Sequence, residues 1–308
     1  MRQAENKVKI EGILAETDLK YGSFSRDGTE VESIGGVIKV LVNQVINDVP
    51  TVLEIPVYMF SSKYTNSGKL NPAYTSIEKV MKEFVSIAAA GSEAQADRIR
   101  ITNADIRINE FLGQNGQLVT QPRIHASFVS KAVGDFRPEA SFTLEFMVSS
   151  LNRAVDKDGV ELDPAKLEVD VIVPQYTAPS APAPKVDLVR LVAISPNVIN
   201  AVESYWTPGN CYKASGRLNF SSRTEEIVEA VDFGEASTRV RTINVSEFII
   251  TGGSQAPLEG DFAFDLDEIK QGMAARKTRL EDIKNGKVGS TKKPPVQNTT
   301  KGKLDLGF

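Results

Sequence analysis

One histidine, His125, and one cysteine, Cys211, in 308 residues rule out Cys/His zinc centres, iron–sulfur clusters and intramolecular disulfides together. His125 stands mid-strand in RIHASF without a nucleophile or paired base, and Cys211 opens CYKASGRL as a small packing residue. Gly252-Gly253 lacks the Lys-Ser/Thr of a phosphate-binding loop. Asp156, Asp158 and Asp163 surround Gly159 without a helix-loop-helix frame or a closing Glu, so a polar hairpin turn accounts for them. Asp265 and Asp267 suit a helix N-terminus. These residues predict no catalytic group, no metal and no cofactor. Another chemistry stands out near residue 60. Tyr58, Phe60 and Tyr64 alternate with Lys63 and Lys69 among small polar residues, so π-faces for stacking lie beside cations for anionic oxygens.

The elements that carry these residues are mostly strands. Val8 to Leu14 (VKIEGIL) alternates apolar and polar residues, with Gly12 marking a bend. Val37–Val42 and Thr51–Phe60 follow, joined across the turn signal Asn47-Asp48. From Ala73 to Ala90 the period changes: Ile77, Val80, Met81, Phe84, Val85 and Ala88 recur at three- and four-residue steps, which predicts one amphipathic helix ended by Gly91. Alternation resumes at Ile99–Ile101 and Ile106–Ile108, then at Gln121–Lys131, with Ile124, Ala126 and Phe128 on one side. A second pass repeats this order: strands at Ser141–Ser149, Lys166–Pro174 and Val186–Ile194, a helix from Pro196 to about Tyr205, then strands at Cys211–Phe220 and Arg239–Thr251. The chain therefore reads as a duplication with a repeat of roughly 130 residues, visible in element order rather than identity. In that register the Ala/Pro-rich stretch Ala178–Pro184 reads as an extended loop within the second unit, with a plain interdomain linker as the alternative. A helix follows over Asp261–Lys284, acidic at its start and basic at its end, before a Lys/Pro/Gly/Thr tail with the composition of a disordered segment.

Three strands, a helix and two closing strands is the order of the OB-fold, a five-stranded Greek-key barrel. The expected fold is mostly β: two tandem OB-fold barrels, over residues 1–136 and 137–255, each with a helix between strands three and four. A C-terminal helix and flexible tail occupy residues 256–308. The net charge of -4 resolves into -1, -5 and +2 over those segments, which favours the first barrel and the tail for polyanion contact. No apolar run reaches the ~20 residues of a membrane helix and no signal peptide is visible, so a cytoplasmic protein without a membrane partner is expected.

The strings VKIEGILAETDL, FTLEFMVSSLNRAVDKDG and RTINVSEFIITGG resemble tandem OB-fold single-stranded DNA-binding proteins of tailed bacteriophages, over about four-fifths of the chain. The resemblance implies a non-enzymatic protein that coats exposed strands in replication or recombination, with single-stranded DNA as its partner. The end of the chain resembles the tips of bacterial single-stranded DNA-binding proteins in finishing on Phe308 after Leu304, Asp305 and Leu306, although Gly307 stands where that family has proline. That likeness implies a recruiting contact with replication or recombination proteins. The alternative is a phage structural or protein-interaction module in which two barrels present loops to a partner.

For strand binding the first-unit candidates are Tyr58, Phe60, Lys63, Tyr64 and Lys69, with Arg98, Arg100 and Arg107 projecting from strands whose isoleucines fill the barrel. A solvated outer face is the simpler account of those three arginines. The second-unit candidates are Arg190, Lys213, Arg217, Arg239 and Arg241; a regular strand places Arg217 and Phe220 on opposite faces. Trp206, at the end of the second helix and just before Pro208-Gly209, is expected in the core.

Overall fold

The computed structural model describes residues 1–26, 28–46, 48–113, 115–178, 180–229 and 237–286, with the backbone alone along 223–229 and 237–242. Alternating burial sets the strand faces. In β3 (Val49–Ser62), Leu53, Ile55, Val57 and Met59 point inward while Glu54, Tyr58 and Phe60 point outward. The first barrel joins β1 (Asn6–Arg26), β2 (Thr29–Ile46), β3, β4 (Arg98–Leu112) and β5 (Leu118–Ala126). β1–β2, β2–β3 and β4–β5 are antiparallel, β3 runs parallel to β5 at Val57↔Ile124, and β4 returns to β1 at Ile10↔Ile101. The circuit 1-2-3-5-4-1 is the OB-fold. A short strand β6 (Ser130–Lys131) adds to β4.

The second barrel repeats that circuit with β7 (Glu139–Arg153), β8 (Leu167–Pro174), β9 (Val186–Ala193), β10 (Cys211–Glu229) and β11 (Ser237–Gly253). Here β9 and β11 are parallel at Leu191↔Phe248, and β10 closes on β7 at Ala214↔Leu144. A glycine marks a tight crossing in each barrel. A Cβ on Gly12 would collide with the Leu41 carbonyl, and one on Gly216 with the Ile249 carbonyl and the Phe142 ring. The first residues of β1 also pair with β7, from Asn6↔Leu144 to Glu11↔Glu139, so both barrels belong to one continuous sheet.

The helix expected over 73–90 is two helices. α1 (Pro72–Glu83), capped by the Asn71 side chain, buries Tyr74, Ile77 and Val80 against the first barrel. Phe84 is extended, the Val85 N–H donates to the Asp97 carboxylate, and Ser86 caps a single turn, α2 (Ile87–Ala90). Val85 and Ala88 consequently point to solvent. The strand expected to reach Lys131 ends at Ala126, which leaves Phe128 exposed. In the second barrel α3 (Pro196–Tyr205) occupies the same place as α1 and buries Ile199 and Val202.

Trp206 follows α3 in the core, as its position in the sequence indicates. Its ring stacks on Tyr212 at 5.5 Å and meets Phe146 edge-on at 5.3 Å, while Nε1 donates to the Ser254 carbonyl at 2.8 Å. Saturating oligonucleotide should therefore leave tryptophan fluorescence nearly unchanged. Strong saturable quenching would contradict this placement.

α4 (Leu266–Lys284), capped by the Asp265 side chain, packs across both barrels. Gly272 lies against Val186 of β9, where an added Cβ would sit 2.8 Å from the Val186 side chain. Arg276 and Arg279 both hold Glu110 of β4. Asp156 Oδ1 accepts from the Asp158 and Val160 N–H groups, which makes the acid-rich segment around Gly159 a hairpin turn. Among the described residues no helix is long and apolar enough to cross a membrane.

Candidate nucleic-acid interface

β1 and β2 continue past the barrel as a two-stranded ribbon, paired as far as Arg26↔Thr29, well beyond the strands expected from alternation alone. Asp27-Gly28 is the signal for it: this dipeptide is a strong hairpin turn former, and Gly28 takes a left-handed φ of 77°. The ribbon carries Phe24 on the same outward face as Phe60, with the two ring centroids 5.7 Å apart. Phe60 stands over Gly35, whose added Cβ would meet the ring at 3.0 Å, and it is 58% exposed. Tyr58 lies two residues back on the same strand face, about 7 Å from Phe60.

Guanidinium groups terminate this stripe at both ends. Arg26 lies 5.3 Å over the Phe24 ring and donates to the Asn66 side chain. Arg123 of β5 lies 4.3 Å over Tyr58, whose ring also stacks on His125 at 5.8 Å. Among the described residues neither Arg26 nor Arg123 has a carboxylate partner, and Arg123 Nε is buried without any acceptor. The order Arg26, Phe24, Phe60, Tyr58, Arg123 is thus three rings between two cations, on the face and beside the loop that OB-folds use for single strands.

The loop singled out in the sequence adjoins one end of the stripe. The Lys63 N–H donates to the Glu32 carbonyl, Tyr64 bridges to Leu70, and Lys69 is exposed and unpaired among the described residues. Tyr64 is half exposed, with the Lys63 ammonium 5.6 Å from its ring centre. Lys63 is less available than expected, because Glu32 holds it and keeps its proton affinity raised. Behind the ribbon a cleft of about 590 Å³ is lined by Tyr21, Tyr74, Lys63 and the carboxylates of Glu32 and Glu78; with Lys63 held by Glu32, its net negative charge suits a polyanion poorly.

The arginines on β4 separate. Arg100 is a structural residue: it makes a bidentate pair at 2.8 and 2.9 Å with the buried carboxylate of Glu11, holding that acid below the usual carboxylate range. Arg98 is exposed over the Phe136 ring, at the β6 end of the strand. Arg107 lies opposite Arg123 in the β4–β5 register and belongs beside the stripe, although Asp105 engages it at 2.6 Å.

His125 is desolvated, and with Arg107 nearby its pKa falls from 6.5 to about 4. The unfolded chain then binds more protons than the folded one between those values, so stability rises with pH across that window. The His125 contribution should be complete above about pH 6.5 and decline as pH falls toward 4. Melting curves of the protein and of His125→Gln from pH 7 to 4 test this, with a shallower decline expected for the variant; parallel curves would refute it.

The corresponding face of the second barrel carries paired charges and a cleft of about 510 Å³ shared with the first barrel. Its outward residues Glu168 and Asp170 bind Arg190 at 2.7 and 2.8 Å, which neutralises that candidate. Ile172 and Val192 on the same side are 8% and 3% exposed, and Ile108, Thr120 and Pro122 of the first barrel line the remaining cleft. Lys213 pairs with Glu5 at 2.6 Å. Arg217 is exposed, with Phe220 buried on the other face as strand parity requires, and it donates to the Val45 carbonyl of the first barrel. The Arg239 and Arg241 side chains and the tail residues Leu304, Asp305, Leu306 and Phe308 lie outside the described residues; the backbone register sets Arg241 opposite Glu225. The sequence reading missed Phe24, Arg26, Arg123 and His125 as members of this surface.

The circuit of strands defines a mostly β protein of two OB-fold barrels, the first of which leaves its outer ring-bearing face open. The chain belongs to the YorF family, whose model matches residues 4–286. No curated protein matches it. Among solved structures it is similar to a deletion mutant of the single-stranded DNA binding protein from Thermus aquaticus, at 12% identity and a TM-score of 0.45, covering 87% of this chain and 100% of that one. It is also similar to the Plasmodium falciparum SSB in complex with ssDNA, at 12% identity and a TM-score of 0.24, covering 41% of this chain and 100% of that one.

Proposed function

We propose that the protein is a non-enzymatic single-stranded DNA-binding protein whose first barrel holds the strand, coating exposed DNA in phage replication or recombination. The observation that carries this reading is the stripe Phe24, Phe60 and Tyr58 between Arg26 and Arg123. Aromatic faces accept any base, and the terminal guanidiniums accept phosphate or stack as cations. Residues 1–136 and 137–255 act as the two barrel units, the second serving as scaffold, and residues 256–308 add a helix and a tail that recruits partners. The protein works in the cytoplasm.

Anisotropy of labelled oligo-dT, duplex DNA and RNA at two salt concentrations tests the reading. Expected is micromolar or tighter binding that prefers oligo-dT and weakens by roughly 0.7 log units per log unit of salt for each phosphate neutralised. No binding at low salt would sink it. One observation favours a protein-interaction module instead: the β2–β3 hairpin tip exposes Val45, Val49 and Val52. The same titration separates the two, since that module requires no affinity for oligo-dT.

A further inference from the structure

The loop joining β8 and β9 of the second barrel does not stay with its own barrel. The Gln175 side chain donates to the Ile106 carbonyl of β4 at 3.4 Å, and Asp187 accepts from the Ile108 N–H at 3.3 Å. Asn6 saturates the remaining groups of Ile106, donating to its carbonyl at 2.7 Å and accepting from its N–H at 2.9 Å. These side chains seal β4 where it has parted from β1, and they fix the loop against the first barrel. Lys185 is held within this seal. Its carbonyl accepts from the Gln175 N–H at 2.9 Å, and its own N–H donates to Thr177 Oγ1 at 2.8 Å.

Ile106 pairs with Ile124 across the β4–β5 register, and their immediate neighbours are Asp105 with His125 and Arg107 with Arg123. The Lys185 backbone is therefore pinned beside the strands that end the ring stripe. Its side chain is exposed and has no ion pair among the described residues. Arg107, Arg123 and Lys185 are the cations that bear on His125, with Asp105 opposing them, while the buried Asp187 carboxylate two residues along, in β9, also attracts Lys185.

We propose that Lys185 of the second barrel is a phosphate contact for a strand bound on the first, so that a strand leaving Tyr58 passes Arg123 and Arg107 and continues onto the β8–β9 loop. This rests on the reading of the first barrel as the strand-binding unit. The two barrels then form one composite track, to which the second contributes its β8–β9 loop.

Length dependence tests it, using oligo-dT of about 4 and about 16 nucleotides, the limits of the usual footprint of one such barrel. Lys185→Ala should leave binding of the short probe unchanged and weaken the long one severalfold. Its salt slope on the long probe should fall by roughly 0.7, the value for one phosphate. Lys185→Arg should restore both. If Phe60→Ala weakens the long probe while Lys185→Ala matches the unaltered protein on both lengths, the composite track is wrong and the first-barrel reading stands. If the unaltered protein binds neither probe at low salt, both fall.

Discussion

Phe60→Ala should weaken oligo-dT binding by roughly tenfold to a hundredfold while leaving the melting temperature almost unchanged. One stacked base is worth ~1–3 kcal/mol by alanine substitution, and a ring flanked on both sides by other rings occupies the centre of the track. Phe60 meets that description, with Phe24 at 5.7 Å on one side and Tyr58 on the other. Its own fold contribution is small, because it stands outward over Gly35 and more than half of it faces water. Phe24→Ala should act in the same direction with a smaller effect, since that ring is partly covered. Tyr58→Ala is the less informative variant, because Arg123 and His125 both rest on the ring and would lose their positions with it. Anisotropy with oligo-dT gives the affinity, and circular dichroism with thermal melting reports the fold. A folded Phe60→Ala protein that binds as tightly as the parent would remove the stripe from the binding surface.

The barrels were legible in the order of their elements because β alternation and the helical period are local. VKIEGIL, TVLEIPVYMF and KLEVDVIVP each state their faces within a few residues. The helix over 73–90 was overextended for a physical reason: Phe84, Val85 and Ala88 keep the helical spacing, while the Asp97 carboxylate draws the Val85 N–H out of it. The ribbon from Leu19 to Ile34 went unread because its residues are mixed and polar, although Asp27-Gly28 marked its turn. Charge partners were the least legible feature. Arg100 and Arg107 look alike in IRITNADIRI, yet one is committed to Glu11, far back in the chain, and the other to its neighbour Asp105. Arg123 carries no signal of its own in RIHASF, where Ile124 and Ala126 mark the core face and the ring it covers, Tyr58, lies on the distant strand β3. In the second unit, two carboxylates, Glu168 and Asp170, hold Arg190, a pairing that its net charge of -5 does not specify.

Glu110→Ala should produce the largest loss of stability on the surface that joins α4 to the first barrel, by about 3 kcal/mol or more. The Glu110 side chain is 1% exposed and is shared by Arg276, itself mostly buried, and Arg279, which keeps substantial contact with water. Removing the acid strands a buried guanidinium, and breaking a buried pair from one side typically costs ~3–5 kcal/mol, with the wetter Arg279 lowering the figure. Arg276 has no slack to absorb the loss, since its Nε is already buried without an acceptor. Amide hydrogen exchange should therefore quicken along Leu266–Lys284 before it does in β7 or β10. Glu110→Leu combined with Arg276→Leu distinguishes a charge left unpaired from a simple loss of attraction, because apolar replacement of both partners should recover much of the stability. Oligo-dT affinity of the folded variant should be unchanged, since neither Glu110 nor Arg276 belongs to the ring stripe. A Glu110→Ala protein that melts with the parent and exchanges α4 amides at the same rate would mean that Gly272, Ile269 and Ile283 hold the helix by packing alone.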